Sequence, residues 1–151
     1  MRQSGIAAML AALLWGTGAV ACDLPANAAA TEQEIATWIN AERGAEGLGP
    51  LRLSPALEAA AAAHACGMAA RNDLSHKGFS ARLRKAGYRA STAVENVGRT
   101  KGVAVTAAAR MWRNSPGHRD NILNRKIREM GVAVATDGTS VWYVFIGGAS
   151  G

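Results

Sequence analysis

The sequence is poor in aromatic residues and in the side chains of thiol and metal chemistry. Only 5% of its 151 residues are aromatic, and it contains three histidines and two cysteines. Because no aromatic residues alternate with the basic ones, we do not expect a nucleic-acid-binding surface. The motifs HExxH and GxSxG are also missing, which excludes a zinc-helix metalloprotease and a serine hydrolase of the α/β type.

The sequence also lacks a run of about twenty apolar residues, the length that spans a bilayer. Its longest apolar segment, from Ile6 to Trp15, follows the basic Arg2 and precedes the small residues "GTGAVA". This order is typical of a secretory signal peptide. We therefore predict a signal peptide over 1–21, an N-terminal arm over 22–30 and one domain over 31–149. The mature protein is then exported, to the periplasm or outside the cell.

Cleavage after Ala21 leaves Cys22 at the mature N-terminus. Three interpretations of Cys22 are open. We prefer a disulfide with Cys66, because an exported chain can keep its two cysteines paired. Closing a loop of about 45 residues contributes about 4 kcal/mol in the loop-entropy model. Alternatively, Cys22 carries a bacterial lipid anchor, or cleavage after Ala30 removes it. In another interpretation, Cys66 is only a small buried side chain of an alanine-rich helix.

Acidic residues are scarce in the second half of the chain. Between Lys77 and Arg128, thirteen lysines and arginines face only two acids, Glu95 and Asp120. Residues 23–76 are instead net acidic. The sequence therefore predicts a basic face, which is either an ordinary solvated surface or one that attracts anionic molecules of the cell envelope.

Capping residues and apolar periodicity predict the first two helices. Thr31 and Glu34 have the spacing of a capping box, and the helix that they begin ends at Gly44. The segment "GAEGLGPLRL" is predicted to be a loop rich in glycine and proline. Ser54 then caps a second helix that extends through Asn72.

The later elements follow from shorter patterns. Helices are predicted over 80–86 and 102–113, and a further short helix begins at Ser115. A strand is predicted around Glu95, and two strand-like runs flank Asp137 and Gly138, a strong hairpin signal. Helices combined with a few antiparallel strands indicate an α+β fold with layered packing.

The three histidines lie in different surroundings. His64 shares a face with apolar residues of the second helix, so we expect a core histidine with a hydrogen-bond partner. His118 lies in the first turn of the helix that Ser115 caps, where the helix dipole favours a neutral imidazole. Glu95 lies within an apolar strand, and a buried carboxylate there requires a partner.

Four motifs carry a resemblance to a known family. They are "SH" at residues 75–76, "ENVG" at 95–98, "WRNSPGHRDNIL" at 112–123 and the closing "GVAV…WYVFIG". In their order and approximate spacing they resemble the CAP superfamily of cysteine-rich secretory proteins, venom antigens and plant pathogenesis-related proteins. The likeness is greatest to its exported bacterial branch and extends over nearly the whole mature chain.

The resemblance implies a three-layer α-β-α sandwich with a small antiparallel sheet and a cleft that gathers two histidines and two glutamates. His76 is similar to the first histidine, Glu95 to the glutamate of the "GEN" motif and His118 to the last histidine. Ser115 occupies the position of the remaining glutamate. The set that the resemblance implies therefore has two histidines and one acid.

Two histidines and a carboxylate form a ligand set for a divalent ion such as zinc, with positions left open for water. Nothing in the sequence identifies a general base, so an enzyme is less favoured than a binding or effector module. We keep as alternatives a metal-dependent hydrolase, by class a peptidase, and a protein that binds sterol, fatty acyl or other envelope ligands. In the simplest alternative, His76 and His118 only bond Glu95 and hold three elements together.

The state of Cys22 is open to a direct test. We expect the intact mass of the mature protein to rise by two alkyl groups only when reduction precedes alkylation, because both sulfurs are held in one disulfide. A mass increment equal to a diacylglycerol group would contradict the disulfide. A mature chain that begins after Ala30 would contradict both the disulfide and the lipid anchor.

Overall fold

The computed structural model describes residues 22–102 and 105–151. In chain order its elements are α1 (Ala28–Ala45), β1 (Arg52–Leu53), α2 (Pro55–Arg71), α3 (Phe79–Lys85), β2 (Ala90–Lys101), α4 (Val105–Arg113), α5 (Pro116–Ile122), β3 (Glu129–Thr136) and β4 (Ser140–Ser150). The predicted signal peptide over 1–21 lies outside the described residues. Within the described ranges, no helix has the length and hydrophobicity needed to cross a membrane.

The four strands form one sheet in the order β1-β3-β4-β2. Strands β2, β4 and β3 pair antiparallel, as expected. The two-residue strand β1 lies inside the segment that was predicted to be a loop, and it pairs parallel with β3. The predicted hairpin is confirmed. The Asp137 carboxylate closes its turn by accepting hydrogen bonds from the backbone N–H groups of Thr139 (2.9 Å) and Ser140 (2.7 Å).

The sheet separates two apolar cores because successive side chains of a strand point to opposite faces. Val132, Val134, Tyr143 and Phe145 face the layer formed by α1, α4 and α5. Their neighbours face the layer of α2 and α3; they are Ala133, Ala135, Trp142 and Val144. The result is the three-layer α-β-α arrangement that the resemblance implies.

Helix α2 lies unusually close to β3 because small residues line the contact. Ala60 and Ala61 of α2 and Ala133 of β3 are buried there. At Gly131 an added Cβ would lie 2.2 Å from the backbone carbonyl carbon of Leu57. The glycine therefore sets the distance between helix and sheet.

The predicted capping box at the start of α1 is wrong. The helix begins three residues earlier, at Ala28, with Asn27 at the N-cap position. Thr31 consequently lies inside the helix, where its side chain is buried against the core instead of bonding the backbone. The prediction failed because the side chains at 28 and 31 pack into the domain, and tertiary packing outweighs local capping signals.

The second helix is confirmed, with Ser54 before Pro55 and Asn72 at its left-handed C-cap. The disulfide between Cys22 and Cys66 is also confirmed, with the two Cα atoms 5.4 Å apart. It attaches the arm that precedes α1 to the side of α2. Such a bond fits an exported protein, because oxidising surroundings preserve it.

We expect Gly131→Ala to destabilise the protein by about 2–3 kcal/mol or more, because the added methyl group meets backbone that cannot yield without moving α2. Gly44→Ala is the matched control: it lies in α1, and nothing lies within 4 Å of its added Cβ. That change should be neutral or stabilise by about 0.5–1 kcal/mol, the helix-propensity difference. Urea unfolding measures both, and equal stability of the two variants would contradict the close packing.

Candidate functional site

The centre of the candidate site is the Glu95 carboxylate in the middle of β2. Only 2% of its side chain is exposed. Glu95 alternates with Val94 and Asn96, and it points to the same face as Val97, which packs in the core beneath α2 and α3. A charge buried this deeply requires partners, and three side chains supply them.

His76 is the first partner. It lies between α2 and α3, and its Nδ1 donates a hydrogen bond of 2.9 Å to Glu95 Oε1. The ring is otherwise open, because 55% of the side chain is exposed. Since Nδ1 is bound to the carboxylate, Nε2 is the nitrogen that the ring presents to a ligand.

Arg82 of α3 is the second partner and the shortest contact. Its guanidinium donates to Glu95 Oε2 at 2.5 Å, and a second guanidinium nitrogen donates to the Lys77 carbonyl. The Arg82 side chain is only 16% exposed. The negative charge of Glu95 is therefore balanced by a fixed cation of the same chain.

His64 of α2 completes the group from below. As predicted, it is a core histidine with a partner: Nε2 lies 2.6 Å from the Ser75 carbonyl oxygen. The same nitrogen also lies 3.9 Å from Glu95 Oε1, which the sequence did not indicate. Burial lowers the pKa of His64, while the negative charge of Glu95 acts in the opposite sense.

His118 approaches from the opposite layer, on α5. Burial lowers its pKa, and a positive charge on His76 would lower it further, so the imidazole is neutral near pH 7. The direction of this shift agrees with the neutral imidazole expected from the sequence, and burial is its larger cause. Among the described residues, the buried His118 Nδ1 has no hydrogen-bond partner.

Two side-chain contacts hold α5 beside β2. Asn96 donates to the His118 carbonyl oxygen at 2.9 Å, and Asn121 donates to the Glu95 carbonyl oxygen at 3.2 Å. The far end of the helix is fixed by the buried Arg43, which donates to the Ile122 carbonyl oxygen at 2.8 Å. The position of α5, which carries His118, is thus set by β2 at one end and by α1 at the other.

The structure brings together His76 and Glu95, and it places His118 near enough for His76 to influence its pKa. The contact of Arg82 with Glu95 and the proximity of His64 to Glu95 were not predicted from the sequence. An acid among many cations indicates that an ion pair is present, but its partner depends on how α3 packs. Ser115, at the N-cap of α5, has no carboxylate to contribute.

The predicted metal ligands can be compared with this geometry. A carboxylate behind His76 is how proteins often orient a metal-binding imidazole. Both Glu95 oxygens already accept a hydrogen bond, one from His76 and one from Arg82, which reduces what the carboxylate offers a metal ion. Within the described part of the chain, no three His, Cys, Asp or Glu side chains are grouped as a metal site. Bound zinc at His76, Glu95 and His118 stays a prediction.

The chain was compared with known proteins. Residues 37–146 match the family model "CAP: Cysteine-rich secretory protein family". The protein YkwD of Bacillus subtilis (strain 168) is 31% identical over 123 residues, a match that covers 78% of this chain and 47% of YkwD. The chain thus spans about half the length of this curated relative.

Three solved structures are similar. An extracellular protein containing an SCP domain from Bacillus anthracis str. Ames is 26% identical, with a TM-score of 0.70 over 79% of this chain and 41% of that one. A cysteine-rich secretory protein of Staphylococcus aureus subsp. aureus Mu50 is 25% identical, with a TM-score of 0.69 over 82% and 40%. An outer surface protein of Borrelia burgdorferi shares the fold, with 19% identity and a TM-score of 0.73 over 81% and 94%.

Replacing Arg82 tests how its cation affects metal binding. We expect Arg82→Gln to bind zinc at least about tenfold more tightly than the wild type, because it removes a positive charge and releases Glu95 Oε2. Isothermal titration with zinc chloride measures the change. Arg84→Gln, on the same helix but exposed, is the control and should bind zinc as the wild type does. Equal zinc affinity of Arg82→Gln and wild type would contradict the role given to Arg82.

Proposed function

Because the chain belongs to the CAP family of cysteine-rich secretory proteins, we propose that it acts outside the cytoplasm as a binding module. Its recognition site in this proposal is the cleft between His76, Glu95 and His118. The ligand is a polar group of an envelope or extracellular molecule.

Two observations support an extracytoplasmic location. The disulfide between Cys22 and Cys66 persists in oxidising compartments and is rare in the cytosol. The similar proteins include one described as extracellular and one described as an outer surface protein. The signal-peptide pattern over 1–21 is consistent with both.

The observation that carries the proposal is the unpartnered Nδ1 of His118. The nitrogen is screened from solvent, and a buried polar atom without a hydrogen bond costs about 1–3 kcal/mol. A ligand whose entry turns the imidazole so that Nδ1 is exposed and bonded recovers that free energy. The exposed ring of His76 offers Nε2 at the same cleft. The two imidazole edges can exchange hydrogen bonds with hydroxyl, amide or carboxyl groups.

The rigidity of the cleft supports binding as well. The ring of His76 is fixed by Glu95, and the backbone of α5 at His118 is held by the contacts of Asn96 and Asn121. Groups that are already ordered lose little entropy when they bind. The orientation of the His76 ring is therefore set before a ligand binds, and the backbone that carries His118 is already in place.

The metal-dependent hydrolase stays an alternative prediction, in which a bound zinc would supply an activated water molecule. Sterol or fatty acyl binding also stays a prediction. Neither has a specific observation in its favour comparable to the unpartnered His118 nitrogen.

The proposal is tested by cosedimentation with two envelope materials, isolated peptidoglycan sacculi and phosphatidylglycerol vesicles. We expect the wild type to bind one of them at raised salt, where exposed basic residues are screened. His118→Ala should weaken this binding about tenfold, because a hydrogen bond made inside the cleft is lost. Asp120→Ala, an exposed position on the same helix, should leave it unchanged.

Binding that disappears at raised salt and is equal in wild type and His118→Ala would contradict the proposal. The same preparations separate the hydrolase alternative when they are assayed for peptide cleavage with zinc supplied. Cleavage lost in His76→Ala, Glu95→Gln and His118→Ala would favour a metal-dependent hydrolase. Cleavage retained in all three would place catalysis elsewhere.

A further inference from the structure

The outer edge of β2 is covered in its middle but open near its start. β2 is an end strand of the sheet and pairs only with β4. On the outer edge, the Glu95 carbonyl accepts from Asn121 at 3.2 Å, and the Val97 carbonyl accepts from the Trp112 indole at 3.1 Å. The helices α4 and α5 thus satisfy the edge at these two residues.

Ala93 has no such cover. The N–H and C=O groups of one strand residue point to the same edge, and alternate residues share an edge. Since the Glu95 carbonyl points outward, the N–H and C=O groups of Ala93 do too. Among the described residues, no group bonds them. A residue with both backbone groups free on a sheet edge is a template for a further strand.

A groove of about 850 Å³ lies beside this open edge, between α3 and the start of β2. Phe79 and Leu83 of α3 contribute apolar side chains to its lining, and residues 90–93 at the start of β2 line it as well. Ser80 and Thr92 add hydroxyl groups. The groove therefore offers both apolar contact area and hydrogen-bonding groups to a ligand.

The charge of the groove selects its occupant. None of its lining residues is acidic, whereas Arg84 and Arg89 both line it. Both arginines are exposed, and neither forms an ion pair with another described residue. Arg82, on the same helix, instead forms an ion pair with Glu95. The groove thus has two unbalanced cations, which favour a ligand with carboxylates.

We propose that this groove binds an extended acidic peptide segment of a partner protein, which pairs with β2 at Ala93. The surface is separate from the His118 ring, so the inference goes beyond the binding site proposed above. A peptide is favoured over an acyl chain because only a peptide backbone satisfies both free backbone groups of Ala93. Strand addition supplies these hydrogen bonds, while the apolar wall receives alternate side chains.

The test uses a blocked peptide of alternating valine and glutamate, with a valine–lysine peptide as the charge control. In a titration followed by ¹H–¹⁵N NMR, we expect the acidic peptide to shift the Ala93 amide and slow its hydrogen exchange. Ala93→Pro removes the outward N–H without breaking a bond to β4 and should weaken binding about tenfold or more. Ala93→Ser keeps the N–H and should bind within about twofold of the wild type.

Charge reversal provides a second test that does not alter the strand. The double variant Arg84→Glu/Arg89→Glu should weaken binding about tenfold or more, whereas Lys101→Glu, at the far end of β2, should not. His118→Ala should bind the peptide normally, which separates this inference from the proposed function. An Ala93 amide that does not shift, or equal binding of the lysine peptide, would overturn the inference. It would also be overturned if oleate vesicles displaced the acidic peptide and bound Ala93→Pro as well as they bind the wild type.

Discussion

The ion pair between Arg82 and the buried Glu95 is the interaction on which the site depends. A carboxylate with 2% of its side chain exposed is unfavourable without a cation, and removing one partner of such a pair typically costs about 3–5 kcal/mol. The pair also connects α3 to the sheet, while His76 and His64 connect the same carboxylate to the preceding loop and to α2. One buried charge thereby fixes the relative positions of the elements that form the cleft.

The second constraint is that this carboxylate lies on an end strand. The outer edge of β2 must be covered wherever its backbone groups would otherwise be buried, and α4 and α5 cover it through Trp112 and Asn121. That cover also brings the backbone of His118 to the Asn96 side chain of β2 from the opposite layer. Where the helices stop, Ala93 is left open beside α3. The cleft and the groove are therefore both consequences of one incompletely covered sheet edge.

The elements that could be predicted from sequence are those whose signals are local. Ser54 and Pro55 mark the start of α2, and Asp137 with Gly138 marks the hairpin, because each acts through its own backbone conformation. The start of α1 could not be predicted in this way, since the packing of Ala28 and Thr31 outweighed a capping pattern. β1 was missed for a related reason: two residues become a strand only because β3 lies beside them.

For the site, as for the fold, some features follow from local sequence and others depend on tertiary packing. The resemblance identified His76, Glu95 and His118 as candidates, but the role of each depends on Arg82, whose direction is set by the packing of α3. With Ser115 in place of a second glutamate, Glu95 is the acid that the described residues contribute to the cleft, and Arg82 already forms an ion pair with it. A cleft with no uncompensated negative charge has little electrostatic attraction for a divalent cation. Its remaining capacity is hydrogen bonding by the imidazoles of His76 and His118, and this capacity is the basis of the proposed recognition of a polar ligand.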